Sequence, residues 1–162
     1  VHAIAAKRKD AEFELVDLAD YDLPLLDEAV PASFGQYEKE HTKKWAKKIG
    51  EFDGYVFVTG EYNHAVPGAL KKAIDFIGPE WNNKAAGLVS YGSAGGARAA
   101  EQMRLILGEL QIADVRAQVM FSLFADFENF SKFKPDPRHV NEVNVLLDQL
   151  VAWAAALKTV RK

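Results

Sequence analysis

Two short stretches carry residue types suited to holding a ligand. Glu61, Tyr62, Asn63 and His64 follow the apolar run Val56-Phe57-Val58 through Gly60, and Tyr91-Gly92-Ser93-Ala94-Gly95-Gly96 follows a second apolar run at 85–90. A polar or glycine-rich turn placed directly after a strand and ahead of a helix lets backbone N–H groups approach a flat or anionic ligand. Such turns, leaving neighbouring parallel strands at their carboxyl ends, converge and can clasp a planar ring between them. On that reading a side chain at Gly92 would fill the space a ring plane needs. The chemistry implied is recognition by backbone rather than attack by a nucleophile. The chain has no cysteine, which removes disulfides, thiolates and Cys-based metal sites. Its four histidines stand at 2, 41, 64 and 139, none at metal-ligand spacing, so no metal site is expected. His64 suits either a proton donor or, more commonly for a lone histidine in a turn, a structural hydrogen bond. Tyr62 and Tyr91 suit stacking on a ring as well as packing. Arg98, near the start of a helix, suits a dinucleotide phosphate or a salt bridge between subunits. The glycine loop alone is weak evidence, since it has the spacing of neither the phosphate-binding nor the dinucleotide fingerprint.

The elements that must position these turns are legible from periodicity. Residues 55–59 read as a parallel strand covered on both faces, and hence central, because their apolar run is unbroken. Pro67 opens the following helix, in which Leu70, Ala73, Ile74 and Ile77 recur at helical spacing. Residues 85–90 form the next strand, and Ala99, Met103, Ile106, Leu107 and Leu110 mark the buried stripe of a helix over 97–110. Upstream, 13–18 reads as a strand nearer the sheet edge. Residues 19–35 read as a loop, and 36–49 as a helix buried through Thr42, Trp45, Ala46 and Ile49. Its outer face is crowded by Lys39, Lys43, Lys44, Lys47 and Lys48, which reads as a solvated face before it reads as an anion-steering patch. Downstream, Val115, Ala117, Val119 and Phe121 alternate with polar neighbours as a half-exposed last strand. Phe121, Phe124, Phe127, Phe130 and Phe133 fall every three residues ahead of Pro135 and Pro137, a spacing that fits irregular packed structure. A satellite cluster or a subunit interface is the first reading of these rings, and a lid over the site the second. A helix over 139–160 closes the chain, with Val140, Val143, Leu147, Leu150, Ala154 and Leu157 on one stripe. Strands alternating with helices predict an α/β fold with a parallel sheet between helical layers, as a single domain spanning 1–162.

With 49% hydrophobic and 27% charged residues and a net charge of −3, the chain has the composition of an ordinary globular domain and gives no reason to expect nucleic acid. No run approaches the length of a membrane span and no signal peptide is visible, so no membrane partner and a cytoplasmic location are expected. The opening VHAIAAKRKDAE, without an initiator Met, reads as the last turns of an amphipathic helix, which puts the start of the chain inside an element.

EYNHAVPGALKKAIDF, continued by SYGSAGG and the helical C-terminus, resembles the signature of the NADPH-dependent FMN reductase family, flavodoxin-like quinone, azo-dye and flavin reductases. The resemblance covers nearly the whole chain. It implies a flavodoxin-like three-layer sandwich of strand order 2-1-3-4-5, and an enzyme that passes hydride from NAD(P)H through FMN to a quinone, azo compound, flavin or similar small-molecule acceptor. It also implies a homodimer or a dimer of dimers. The cofactor-binding residues it implies are Gly60, Glu61, Tyr62, Asn63, Tyr91, Gly92, Ser93 and Gly95, with backbone facing the pyrimidine edge and N5 side of the isoalloxazine ring. No catalytic side chain is named, because flavin carries the redox step itself. Two departures stand out. Many family members have a proline where this chain has Gly60, which leaves the turn without a rigidifying ring. The family also begins with a strand and a Gly/Ser/Thr/Arg loop that holds the FMN phosphate, and neither precedes Val1 here; its absence is expected to leave a gap beside residues 55–59. A flavodoxin-type electron carrier and a non-catalytic flavin-binding module are the alternatives. Carriers of that kind are usually strongly acidic, and a net charge of −3 with a lysine-rich helix argues against one.

Overall fold

The computed structural model describes residues 1–161. Its helices are α1 (His2–Ala5), α2 (Glu40–Gly50), α3 (Gly68–Asp75), α4 (Ala97–Glu109) and α5 (His139–Lys158). The strands are β1 (Gly54–Gly60), β2 (Lys84–Gly92), β3 (Ile112–Ser122) and a small hairpin of β4 (Phe127–Glu128) and β5 (Lys132–Phe133). β1, β2 and β3 form one parallel sheet in that order. α2, α3 and α4 cover one face, where Trp45, Ile49, Ile74, Ile77, Met103 and Leu107 pack on Tyr55, Phe57 and Leu88. α5 covers the other face with Val143, Leu146, Leu147 and Leu150 against Val89, Val115 and Val119, and α1 adds Ala5. This is the three-layer arrangement of a flavodoxin-like α/β fold.

The observed ladders correspond to the 3-4-5 part of the expected strand order, and the described residues place no strands in its 2-1 part. Two expectations change accordingly. β2, not the strand at 55–59, is central: every residue from Lys84 to Ser90 is buried. Among the described residues β1 pairs only with β2, and Val58 is 59% exposed on the sheet face toward α1 and α5, beside an apolar groove of about 560 Å³ that also touches Val89, Tyr91 and Phe127. The unbroken apolar run therefore reports strand type but not sheet position. Residues 13–18 form no strand. Among the described residues no strand pairs with them, and the Asp17 carboxylate accepts the Ala19 N–H at 2.9 Å, turning the chain into a 3-10 turn at Leu18–Asp20. Phe13 still packs toward α5 and Val16 toward the opposite core, while Leu15 is 69% exposed.

Smaller differences have local causes. Pro67 is the N-cap of α3 rather than its first residue, in extended conformation. α2 starts at Glu40, four residues later than its periodicity suggests, where the Glu28 carboxylate accepts the Glu38 and Lys39 N–H groups at 2.9 and 3.0 Å. On its outer face Lys43 pairs with Glu40, and Lys48 with Glu14 and Glu51. On α5, Leu146 is buried and Val140 is 51% exposed, so the helix is rotated from the expected stripe to seat Leu146 over Gly87. The period-three phenylalanines split by side. Phe121 is buried and Phe133 meets both it and Phe127 at 5.0 and 5.2 Å while staying 52% exposed, whereas Phe124 and Phe130 meet each other edge to face and are both exposed.

Lys84 joins β2 to α2. Its side chain is buried, and Nζ donates to the carbonyls of Ile49 and Gly50 at 3.0 and 3.2 Å, satisfying the C-terminal end of α2. Burial, helped by the positive charge of Arg161, pulls its pKa down to about 8. Between pH 8 and about 10.4 the unfolded chain still holds a proton that the folded chain has released, so this group makes stability rise with pH there. Tyr37 and Tyr55 act in the opposite sense, since burial first, and Glu80 for Tyr37, push them above the usual tyrosine range. Their contribution is lost above roughly pH 10, the ordinary tyrosine value. Urea midpoints are therefore expected to increase from pH 8 to pH 10, by at most about 1.4 kcal/mol per pH unit from Lys84. Lys84→Met should flatten this rise; an equal rise in the variant would place its source elsewhere.

Candidate functional site

The parallel register runs from Gly54↔Ala85 to Gly60↔Tyr91, so both turns leave the sheet at the same carboxyl edge. Pairing continues one step past the strands, where the Glu61 N–H donates to the Tyr91 carbonyl at 3.1 Å. The loops at 60–66 and 91–96 therefore lie side by side, as their positions after adjacent strands predict.

The first loop is a closed turn. Tyr62 and Ala65 exchange backbone hydrogen bonds at 3.0 and 3.1 Å, with Asn63 (φ 47°) and His64 (φ 70°) in the left-handed region between them. Asn and His tolerate that region better than most residues, which accounts for this polar pair at the corner. The His64 carbonyl accepts the Gln102 Nε2–H at 2.7 Å, so the backbone of His64 has a structural role. Tyr62 is 63% exposed. The Glu61 side chain turns away from the rim: its Oε2 accepts the N–H groups of Arg98 and Ala99 at 3.0 and 3.3 Å, and Oε1 pairs with the Arg98 guanidinium. Burial alone would raise its pKa, but Arg98 and these two N–H groups outweigh that and hold it below the usual carboxylate range. Arg98 thus has an intramolecular partner.

The glycine loop is held as firmly. Gly95 and Gly96 have φ of 66° and 72°. The Ser90 hydroxyl donates to the Gly95 carbonyl at 2.8 Å, and Gln118 Nε2 approaches Ser90 Oγ at 3.4 Å. A Cβ on Gly96 would sit 2.7 Å from Ser90 Cβ and 2.8 Å from the Tyr91 nitrogen, so only glycine fits there. Gly92 differs from its expected role. A Cβ there would point at Glu61 Cβ and the Gly96 nitrogen, each 3.3 Å away, so a larger residue would wedge the two loops apart rather than fill a ring site. The Tyr91 ring packs across Gly60, whose Cβ position would lie 3.0 Å from Tyr91 Cζ, and faces Phe127 at 6.3 Å. Ser93 is exposed.

Among the described residues, the N–H groups of Asn63, Ser93 and Ala94 have no hydrogen-bond partner, and all three residues are exposed. The rim therefore presents unpaired backbone donors from both loops, with its one nearby carboxylate turned inward. That donor set fits the carbonyl and nitrogen acceptors of a flavin pyrimidine edge. The N-terminus of α4 is already occupied by Glu61, so it does not serve as an anion site. Ser90, Gln102 and Gln118 are not legible as site residues from sequence, since Gln102 meets a carbonyl 38 residues away, Gln118 meets the Ser90 and Arg104 side chains, and the Ser90 bond to Gly95 depends on the fold of the glycine loop.

A parallel α/β sandwich with paired backbone loops at its carboxyl edge defines a flavodoxin-like nucleotide-binding class. FerB, a flavoenzyme NAD(P)H:(acceptor) oxidoreductase from Paracoccus denitrificans, has this fold, matching with a TM-score of 0.72 at 20% identity over 96% of this chain and 85% of that one. The chain belongs to the NADPH-dependent FMN reductase family, whose model matches residues 1–126. It is 35% identical over 136 residues to the NAD(P)H-dependent FMN reductase ntnL of Nectria sp., a match covering 78% of this chain and 67% of that one. It is 40% identical over 114 residues to an NAD(P)H-dependent FMN reductase of Schizosaccharomyces pombe, covering 69% and 57%. Quinone reductases are among its further relatives. The chain thus spans between about half and two thirds of the length of these two curated relatives.

Gly96→Ala should lower folding stability by about 2–4 kcal/mol, combining a left-handed backbone with a close approach to backbone. Gly108→Ala, with open space in α4, should raise it by about 0.5–1 kcal/mol. Denaturant titration of both variants checks the pair, and similar shifts in the two would contradict the loop geometry.

Proposed function

We propose that the protein is an FMN-dependent oxidoreductase that takes hydride from NAD(P)H and delivers reducing equivalents to a small-molecule acceptor such as a quinone, azo compound or free flavin. The observation that carries this reading is the double rim of unpartnered backbone donors at Asn63, Ser93 and Ala94 at the carboxyl edge of the sheet. Bound FMN would supply the two-electron chemistry, and Gly60, Glu61, Tyr62, Asn63, Tyr91, Gly92, Ser93 and Gly95 build the rim proposed to hold its ring. Within it, Asn63, Ser93 and Ala94 are proposed to donate N–H groups to the ring edge, while Gly92 lets the two loops approach, Gly60 makes room for the Tyr91 ring and Gly95 for Met120. Tyr91 and Tyr62 limit water at the margin. No side chain at the rim is assigned a proton or a nucleophile, in keeping with chemistry resident in the cofactor.

The same reading includes a homodimer or homotetramer. Phe124 and Phe130 are 71% and 64% exposed at the end of the hairpin, and Phe130 holds φ 56°, a strained conformation for an aromatic residue. A cytoplasmic location, where the reduced nicotinamide pool is available, belongs to the reading as well.

Purified protein supplied with FMN should retain the visible absorption of oxidised flavin through gel filtration and oxidise NADPH or NADH when a quinone is added. A colourless protein without such turnover would reject the reading. Light scattering over a wide concentration range should show a species larger than the monomer, and Phe124→Ser with Phe130→Ser should shift it toward the monomer.

A further inference from the structure

Glu61 lies beside the rim, yet its carboxylate is only 3% exposed and spends its acceptors on α4. It receives the Arg98 and Ala99 N–H groups at 3.0 and 3.3 Å and pairs with the Arg98 guanidinium, while its own N–H is bonded to Tyr91. Three residues on, the His64 carbonyl receives the Gln102 side chain at 2.7 Å. Arg98 and Gln102 are four apart on α4 and so share one helix face. The first loop is therefore fastened at both ends to a single helix. That helix grows directly out of the second loop, because Gly96 is its N-cap.

A cap is ordinarily supplied by the N-cap residue itself, through a Ser, Thr, Asp or Asn side chain that accepts the N–H of the second or third helical residue. Here the N-cap must be glycine, at φ 72° and against Ser90 and Tyr91, and has no side chain to offer. The missing acceptor comes from the other loop, 37 residues away in sequence. We infer that Glu61 and Gln102 are positioning residues: together they strap the 61–65 turn to α4, so that the donors of both loops are held in one rigid frame at the height a planar ligand requires. The ligand assignment rests on the FMN reading above, whereas the strap itself does not.

The strap makes a distinction that a purely structural cap does not. Loss of a cap lowers the stability of the whole domain, whereas loss of a strap frees the two loops relative to the sheet while α5 and the core keep their protection. In the full chain, Glu61→Ala is expected to weaken FMN binding, followed by flavin fluorescence, by about tenfold or more, the scale set by losing a charge-assisted hydrogen bond. Glu61→Gln keeps an acceptor oxygen for α4 and should stay within about threefold of the parent, a rescue scaled by the smaller worth of a neutral hydrogen bond. Hydrogen exchange without flavin should show faster exchange in Glu61→Ala at the hydrogen-bonded amides of Tyr62, Ala65 and Gly95, with unchanged exchange in α5. Should Glu61→Ala not fold, Gln102→Ala, a substitution on the exposed side of α4, is expected to speed exchange at the Tyr62 and Ala65 amides and to weaken FMN binding in the same direction. Parental FMN affinity in Glu61→Ala and Gln102→Ala, or exchange that rises uniformly across the domain, would overturn the strap. If the parent protein itself binds no FMN, the functional reading fails, and local exchange in the two variants alone then decides for or against the strap.

Discussion

The parallel pairing of β1 with β2 is the constraint on which the rest depends. Two parallel strands cannot be joined by a tight turn, so the chain returns through α3 and the residues beyond it before β2 begins. The two strands are forced to end together, and Gly60 comes to lie opposite Tyr91. Helices on both faces bury β2 from Lys84 to Ser90, and the approach is close enough that a Cβ on Gly87 would lie 2.6 Å from Leu146. Ala85 and Gly87 are small on the face over which α5 sits directly, and Ala86 faces the opposite core. Packing thus fixes the sheet edge, and the edge fixes where two loops can meet.

What the sequence makes legible follows from how local each signal is. The four buried residues of α2 and the inward stripe of α4 arise from a 3.6-residue period that any packed helix must satisfy, and both are read correctly from spacing. The two strand–loop–helix units are equally local, which is why the juxtaposition of the loops can be expected before any coordinates. Position within a sheet is not local. The run Val56-Phe57-Val58 looks central, but among the described residues β1 is at the sheet edge, because the number of ladders depends on partners elsewhere. Residues 13–18 have the alternation of a strand and no partner, and a short-range Asp17 contact then sets the local conformation. The aromatic spacing of three proved to be a hairpin sorting its rings to alternate sides, a pattern that neither helical nor simple strand periods describe.

The candidate site divides in the same way. Its glycines are visible as residue types, but the direction of each missing Cβ is not. Gly92 and Gly96 both look like places for a ligand to approach, yet their Cβ vectors meet Glu61 and Ser90, so these glycines bring protein backbone close to protein backbone. Nor does sequence reveal helix caps supplied from afar. Glu28 at the start of α2 and Glu61 at the start of α4 are both acidic residues in loops, indistinguishable from solvated charges until the fold brings the helix ends to them.

Such distant contacts change what glycine means in this loop. A run of glycines in a free peptide is flexible, because glycine loses more conformational freedom on ordering than any other residue. In this protein the run is pinned: Ser90 holds the Gly95 carbonyl, Gln118 lies against Ser90, and Arg104 ties Gln118 to Asp114 and the Val115 carbonyl of β3. Met120 closes the outer side, 3.1 Å from where a Gly95 Cβ would be. The ordering entropy is met at folding rather than at binding, so a ligand arriving at the rim finds donors already in place. Under the FMN reading, whose proposed contacts are backbone N–H groups, that preorganisation is the protein's main means of influence over the ring. Fixed dipoles at fixed distances can bias the electronics of a cofactor, and mobile ones average away. The dense bracing of the two loops is therefore what lets backbone geometry, rather than mobile side chains, present fixed dipoles at this edge of the sheet.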